Sequence, residues 1–371
     1  MSAVAPKPAS PASKPQAEIR VMIVDDSAAI RGFLTRWIEA EPGFAIAAVA
    51  SNGRIATETV AAADPDVIVL DIEMPEMDGI TALPLLLKAS PHSRIIMAST
   101  LTRRNAEISL KALALGATDY VPKPTSLGPA EAGQAFKHEL FAKIAAVAKP
   151  RPGRAPIAKV AYAPPRPAPA AEIKLRKPSL VAPQVVAIGS STGGPQALVK
   201  VITALAPRLA LPILITQHMP PTFTAILAET LSRSSGLRCA EGANGTRLEA
   251  GCVYVAPGDT HMILKGKGGP IELLHSPPEN FCRPSVDPMF KSIAAVYGPG
   301  VLAVMLTGMG SDGKDGARAI VDAGGTVLAQ DEATSVVWGM PGAVAHAGLA
   351  SAVLPLDSIA GEVRKYMGLP R

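Results

Sequence analysis

A chain of 371 residues is too long for one average domain and suits two or three, each large enough to bury its own core. Its hydrophobic fraction of 48% is ordinary for globular protein, and no apolar run reaches the length of about 18 residues that a membrane-spanning helix needs, which argues against direct membrane insertion. The net charge of +5 is local: between positions 149 and 178 eight Lys and Arg stand against Glu172 alone, so the folded remainder lacks the basic excess of a nucleic-acid binder.

Residues 1–17 are rich in Pro, Ala and Ser and lack the apolar segment of a signal peptide. They read as a disordered tail, and the chain is expected in the cytoplasm. Short apolar runs follow at 21–24, 44–49, 67–70, 95–98 and 120–121. Between the first two, Ile30, Phe33, Leu34, Trp37 and Ile38 recur at helical spacing until Pro42-Gly43 stops the helix. Five such units over 18–136 predict an α/β domain with a doubly wound parallel sheet.

A helical pattern at about 131–148 precedes a segment whose proline density and charge predict an extended linker, so 137–182 reads as helix plus Pro-rich basic linker. From 183 to 371 the alternation resumes, and a second doubly wound α/β domain is expected. Its strands are placed at 185–188, 212–216, 301–306 and 326–329, with a helix at 197–205. The runs 252–255 and 262–264 look like the arms of a β-hairpin turning at Pro257-Gly258-Asp259. Cys239, Cys252 and Cys282 are odd in number and widely spaced, which speaks against a disulfide framework or a zinc site.

Chemistry-bearing residues fall at strand ends. Asp25 and Asp26 follow the first run, Asp71 the third, Ser99 ends the fourth and Lys123 follows the fifth. In a parallel sheet these positions share the carboxyl edge, where α/β proteins bind ligands. Three carboxylates crowded there call for a hard cation such as Mg²⁺, and a Lys and a hydroxyl opposite suit phosphoryl transfer onto a carboxylate. In the second half, the strand at 185–188 runs into Gly189-Ser190-Ser191-Thr192-Gly193-Gly194-Pro195 at a helix start. A serine there lies near free backbone N–H groups that could hold an oxyanion. The G-x-G-x-x-G spacing of a dinucleotide loop is absent, and no Gly-Lys-Ser/Thr follows. His218 follows the strand at 212–216, and Asp312 lies a few residues beyond the strand at 301–306. A hydroxyl, a base and an orienting acid at one edge suit nucleophilic acyl transfer. At this stage Ser190 competes with Ser191, His261 with His218, and Asp287 and Asp315 with Asp312.

The stretches VMIVDDS, DVIVLDIEMPEMDG, IIMAST and DYVPKP resemble the receiver domain of two-component response regulators. The resemblance implies Asp71 as phosphoacceptor, Asp25 and Asp26 with Asp71 as Mg²⁺ ligands, and Ser99, Tyr120 and Lys123 as switch residues. AIGSSTGGPQAL, ILITQHMP, YVAPGDTHM, RPSVDPMF, MLTGMGSDG and QDEATSVVWGMP resemble the catalytic domain of the CheB family of chemotaxis protein-glutamate methylesterases. That resemblance implies Ser191 as nucleophile, His218 as base, Asp312 as its orienting acid, and Thr192 and Met309 near the oxyanion site, with no cofactor in this half. It implies demethylation of glutamate methyl esters on methyl-accepting chemotaxis receptors, deamidation of receptor glutamines, and a chemotaxis histidine kinase as phosphodonor.

Overall fold

The computed structural model describes residues 18–123, 130–148, 173–266 and 269–368. The tail expected at 1–17 and most of the expected linker, 149–172, lie outside them. Among the described residues no helix is long and apolar enough to cross a membrane.

The first domain holds β1 (Ile19–Val24), β2 (Phe44–Ala50), β3 (Val67–Asp71), β4 (Arg94–Thr100) and β5 (Asp119–Lys123), all parallel, in the order β2-β1-β3-β4-β5. Helices α1 (Ala28–Ala40), α2 (Gly53–Ala63), α3 (Gly79–Ala89), α4 (Arg103–Ala114) and α5 (Ala130–Val147) cover both faces. The strand period of two divides the core: Val21 and Ile23 pack with Leu34 and Ile38 of α1 and Leu140 and Ile144 of α5, whereas Met22 and Val24 face Val60, Leu83 and Leu110. Burial on both faces makes the inner strands continuous apolar runs. Ser27, Asn52, Asp78 and Thr102 cap α1 to α4 by accepting a backbone N–H three residues on, each worth about 1 kcal/mol. The expected boundary at 136/137 falls inside α5, whose Phe136, Phe141 and Ile144 pack on this sheet along its length. The helix belongs with the first domain and not with the linker.

The second domain contains β6 (Val185–Ser190), β7 (Ile213–Gln217), β8 (Arg238–Glu241), β9 (Cys252–Val255), β10 (His261–Leu264), β11 (Ile271–Leu274), β12 (Val301–Met305), β13 (Thr326–Gln330) and β14 (Ala352–Leu354). Seven of these form a parallel sheet in the order β14-β13-β12-β6-β7-β9-β8. The helices are α6 (Gly194–Leu205), α7 (Phe223–Ser235), α8 (Val286–Tyr297), α9 (Lys314–Asp322), α10 (Met340–His346) and α11 (Leu356–Tyr366). The expected hairpin of 252–255 with 262–264 does not form: β9 lies parallel between β7 and β8, and β10 pairs antiparallel with β11. All four residues of β9 are buried, which a central sheet position provides and a two-stranded ribbon does not. Strand order reverses at β6, with β7 on one side and β12 on the other, and the crevice outside those strand ends is the expected ligand position.

The first domain meets the second through α4 and β5. Tyr120 stacks on Phe223 with ring centroids 4.6 Å apart and planes 9° from parallel. Gln196 Nε2 donates to the Ala117 carbonyl at 3.0 Å, and Arg103 pairs with Glu229 at 2.8 Å. Phe223 opens α7 a few residues past His218, so this contact lies on the connection that leaves the second domain's crevice.

Candidate active site and phosphorylation site

The register of β6 on β7 pairs Ser190 with Gln217, so the next residues, Ser191 and His218, leave neighbouring strand ends. Ser190 is fully buried and donates to Gln217 Oε1 at 2.7 Å, while Gln217 Nε2 donates to the Ser191 carbonyl at 2.9 Å. The turn needs glycine: Gly193 has φ +75°, and a Cβ on Gly194 would stand 2.0 Å from Gln217 Oε1. A Cβ on Gly308 would lie 2.9 Å from the Ser191 Cβ, so the loop after β12 rests directly on this serine. Ser191 is partly buried, and its Oγ makes no hydrogen bond among the described residues. Of the two serines, Ser190 is committed to the loop's own structure.

Asp312 sits where the α8 N-terminus points. Its Oδ2 accepts from the Val286 N–H at 2.6 Å and contacts His218 Nε2 at 2.7 Å. Its Oδ1 accepts from Ser285 Oγ at 2.7 Å, Asn280 Nδ2 at 2.8 Å and the Gly313 N–H at 2.9 Å. Burial alone would raise its pKa, but His218 and these donors hold it down at about 2. For His218 burial would lower the pKa; the bonds to Asp312 and to the Cys282 sulfur outweigh it and raise it to about 10. The other imidazole nitrogen, Nδ1, faces Cys282 Sγ at 3.4 Å, and no hydrogen bond joins His218 to Ser191. The acid–base pair is formed, and the serine stands beside it unbonded.

The competing residues have other partners. His261 is fully buried, with Nδ1 accepting from the Ser285 N–H at 3.2 Å and Nε2 facing the Pro277 carbonyl at 3.1 Å. Asp287 accepts from the Gly316 N–H at 2.6 Å and ties α8 to α9, and Asp315 is exposed on the first turn of α9. Thr192 is buried, and its carbonyl accepts from Thr307 Oγ1 at 2.9 Å. The N–H groups of Thr192 and Met309 make no hydrogen bond among the described residues, and both lie on loops that touch Ser191. Sequence reading missed Asn280, Ser285 and the contact of Cys282 with His218. The only sequence signal was a serine before an apolar helix, a pattern common to ordinary caps.

In the first domain, Asp25, Asp26 and Asp71 each offer a carboxylate oxygen within 4.8 Å of the others. Lys123 Nζ bridges Asp25 at 2.5 Å and Asp71 at 2.7 Å. Burial raises the Asp71 pKa to about 6 and the Asp25 charge adds to this, against Lys123 and the Ile72 N–H, which lower it. The donors are hard oxygens, and Asp26 is exposed at the mouth, an arrangement that suits a cation taking oxygen ligands and keeping open positions. Ser99 is buried and bonds to Ser109 Oγ at 3.0 Å, and Tyr120 is buried against Phe223.

Known proteins show the same two parts. The family described as "Response regulator receiver domain" matches residues 21–130, and that described as "CheB methylesterase" matches residues 186–363. A protein-glutamate methylesterase/protein-glutamine glutaminase of Nitrobacter hamburgensis is 52% identical over 371 residues, covering 97% of this chain and 97% of its own. One from Paramagnetospirillum magneticum is 51% identical over 364 residues, covering 94% and 96%. Among solved structures, the Thermotoga maritima CheB methylesterase catalytic domain is 42% identical, covers 50% of this chain and 99% of that one, and has a TM-score of 0.48.

Proposed function

This chain belongs to the CheB methylesterase family, and on that premise we propose that it hydrolyses glutamate methyl esters on methyl-accepting chemotaxis receptors, releasing methanol. The glutaminase activity in its relatives' names is the same acyl chemistry with ammonia as leaving group. The observation that carries the reading is the His218–Asp312 pair beside an unbonded Ser191 at the carboxyl edge of a parallel sheet.

Ser191 Oγ attacks the ester carbonyl while His218 takes its proton. For this, Nδ1 exchanges the Cys282 thiol, a weak hydrogen-bond partner, for the serine hydroxyl. Catalytic bonds of this kind commonly tighten only with substrate bound. Asp312 stabilises the imidazolium, and the N–H groups of Thr192 and Met309 take the oxyanion. His218 returns the proton to the departing methoxide, and water then hydrolyses the acyl-enzyme. Labelled methanol released from methylated receptor tests this: the parent chain should release it, and a parent that does not would sink the esterase reading.

The receiver supplies control in the same proposal. A chemotaxis histidine kinase donates a phosphoryl group to Asp71. Mg²⁺ held by Asp25, Asp26 and Asp71 supplies charge neutralisation there. The acyl phosphate, of charge about −2 where the carboxylate had −1, draws Lys123 from Asp25 and Ser99 from Ser109, and Tyr120 transmits the change to Phe223. Unphosphorylated, the receiver hinders approach to the Ser191 crevice. The domain division is then a receiver at 18–148 and a catalytic domain from 173. A cytoplasmic location, without nucleic-acid binding or membrane insertion, is part of this reading.

Two measurements check the control. Phosphoryl labelling of the chain by acetyl phosphate should vanish in Asp71→Asn and on removal of divalent cations with EDTA; persistence of label in the variant would move the acceptor. Fragment 173–371 should release methanol several-fold faster than the unphosphorylated full chain, and equal rates would exclude hindrance by the receiver.

A further inference from the structure

We propose that Phe281 is a specificity-determining residue whose ring docks on an apolar side chain of the receptor segment flanking the esterified glutamate. The inference rests on the methylesterase reading above and names a contact through which the site holds a protein substrate.

The side chain is fully exposed, at 100%, more than any other large apolar residue described from Val185 onward. The backbone there is unfavourable for an aromatic. Asn280 and Phe281 have φ of +52° and +62°, and Glu279 and Cys282 exchange both backbone hydrogen bonds across them, at 3.2 and 2.9 Å. This is a two-residue hairpin turn with both central residues left-handed, a geometry that selects Asn at the first position and Gly at the second. Asn280 obeys that preference and Phe281 does not. The ring gains no burial in compensation, so neither local conformation nor packing accounts for a phenylalanine.

The turn is rigidly tied to the catalytic pair. Asn280 Nδ2 donates to Asp312 Oδ1 at 2.8 Å and to Asp287 Oδ2 at 2.9 Å. The next residue but one after Asn280, Cys282, lies against His218 Nδ1, and Arg283 is braced by Asp259. The ring is therefore presented to solvent from the turn whose flanking residues, Asn280 and Cys282, hold Asp312 and His218. A second partly exposed apolar residue, Val336, touches Gly193 next to the nucleophile, which gives the mouth of the site apolar contacts from two loops. On this proposal a protein segment gains from the ring a contact that a small ester does not make.

The test compares the full chain with Phe281→Ala, Phe281→Gly and Phe281→Leu on methylated receptor and on a small activated ester, p-nitrophenyl acetate. The ratio of kcat/KM for receptor to that for the small ester should fall about tenfold in the Ala and Gly variants, mainly through KM, and Leu should restore most of it. Gly suits the positive φ, so that variant should melt no lower than the parent. An unchanged ratio in the Ala and Gly variants, or an equal loss on both substrates, would overturn the proposal. A parent active on the small ester but not on receptor overturns the functional reading and this inference with it.

Discussion

Alanine in place of Ser191 is expected to lower methanol release from methylated receptor by at least about a thousandfold, leaving only what binding and oxyanion stabilisation contribute. Folding should not change, because the Ser191 Oγ makes no hydrogen bond among the described residues. Alanine at Ser190 should do the reverse. It removes the donor to Gln217 Oε1 inside a fully buried loop, and an unsatisfied acceptor there costs about 1–3 kcal/mol. The nucleophile remains, so activity should survive at temperatures where the variant is folded. Methanol release and melting temperature, measured on both variants, separate the two roles. A Ser191→Ala chain that keeps its rate while Ser190→Ala loses it without unfolding would exchange the assignments.

The order of events along the chain explains what was legible in the sequence. Parallel strands buried on both faces announce themselves as short apolar runs, and the residue that follows each run lies at the sheet's carboxyl edge. That rule put Asp71 at the end of β3 and Ser190, Ser191 and His218 at the ends of β6 and β7, and the choice of Ser191 over Ser190 and of His218 over His261 came only from the family resemblance. Pairing between strands far apart in sequence was not legible. The runs at 252–255 and 262–264 are near neighbours with a turn between them, and local pattern favours a hairpin. The first run is instead claimed by β7, and its ladder continues through the Ala256 N–H to the Ile215 carbonyl at 2.8 Å. β8 went unseen because it is an edge strand of four residues, alternately exposed and half-buried. The surroundings of Asp312 were hidden for a further reason. Asn280, Ser285 and the Val286 N–H reach it across 26 to 32 positions of sequence, and none of them has a local signature. Nothing in the spacing of Cys282 announces its contact with His218, which only the fold creates.

Asparagine at Asp312 is expected to reduce the rate by about 10⁴-fold, because it imposes the wrong imidazole tautomer. Both carboxylate oxygens accept from donors: the Val286 N–H and His218 Nε2 on one, Ser285, Asn280 and Gly313 on the other. An amide must turn its NH₂ toward one set. Three fixed donors oppose it on the Oδ1 side, so the NH₂ goes toward His218, whose Nε2 must then accept. The ring proton moves to Nδ1, the nitrogen that has to receive the Ser191 proton, and general-base catalysis stops. The pH profile gives an independent reading. The base must be neutral, and the parent's His218 pKa is raised to about 10, so the parent's rate should climb with pH through the neutral range. Asp312→Ala removes the strongest raising partner and leaves burial to act, so its residual activity should plateau at lower pH. Stability follows with definite signs. Asp312, depressed to about 2, contributes above its ordinary 3.8, and His218, raised, contributes below its ordinary 6.5. The difference in unfolding free energy between parent and Asp312→Ala should therefore be largest between those two values. It should shrink as pH falls toward 2, where Asp312 takes up its proton, and again as pH rises toward 10, where His218 loses its own. A difference that stays flat across that whole range, or an Asp312→Asn variant within tenfold of the parent rate, would mean that the pair braces α8 and takes no part in the acyl transfer.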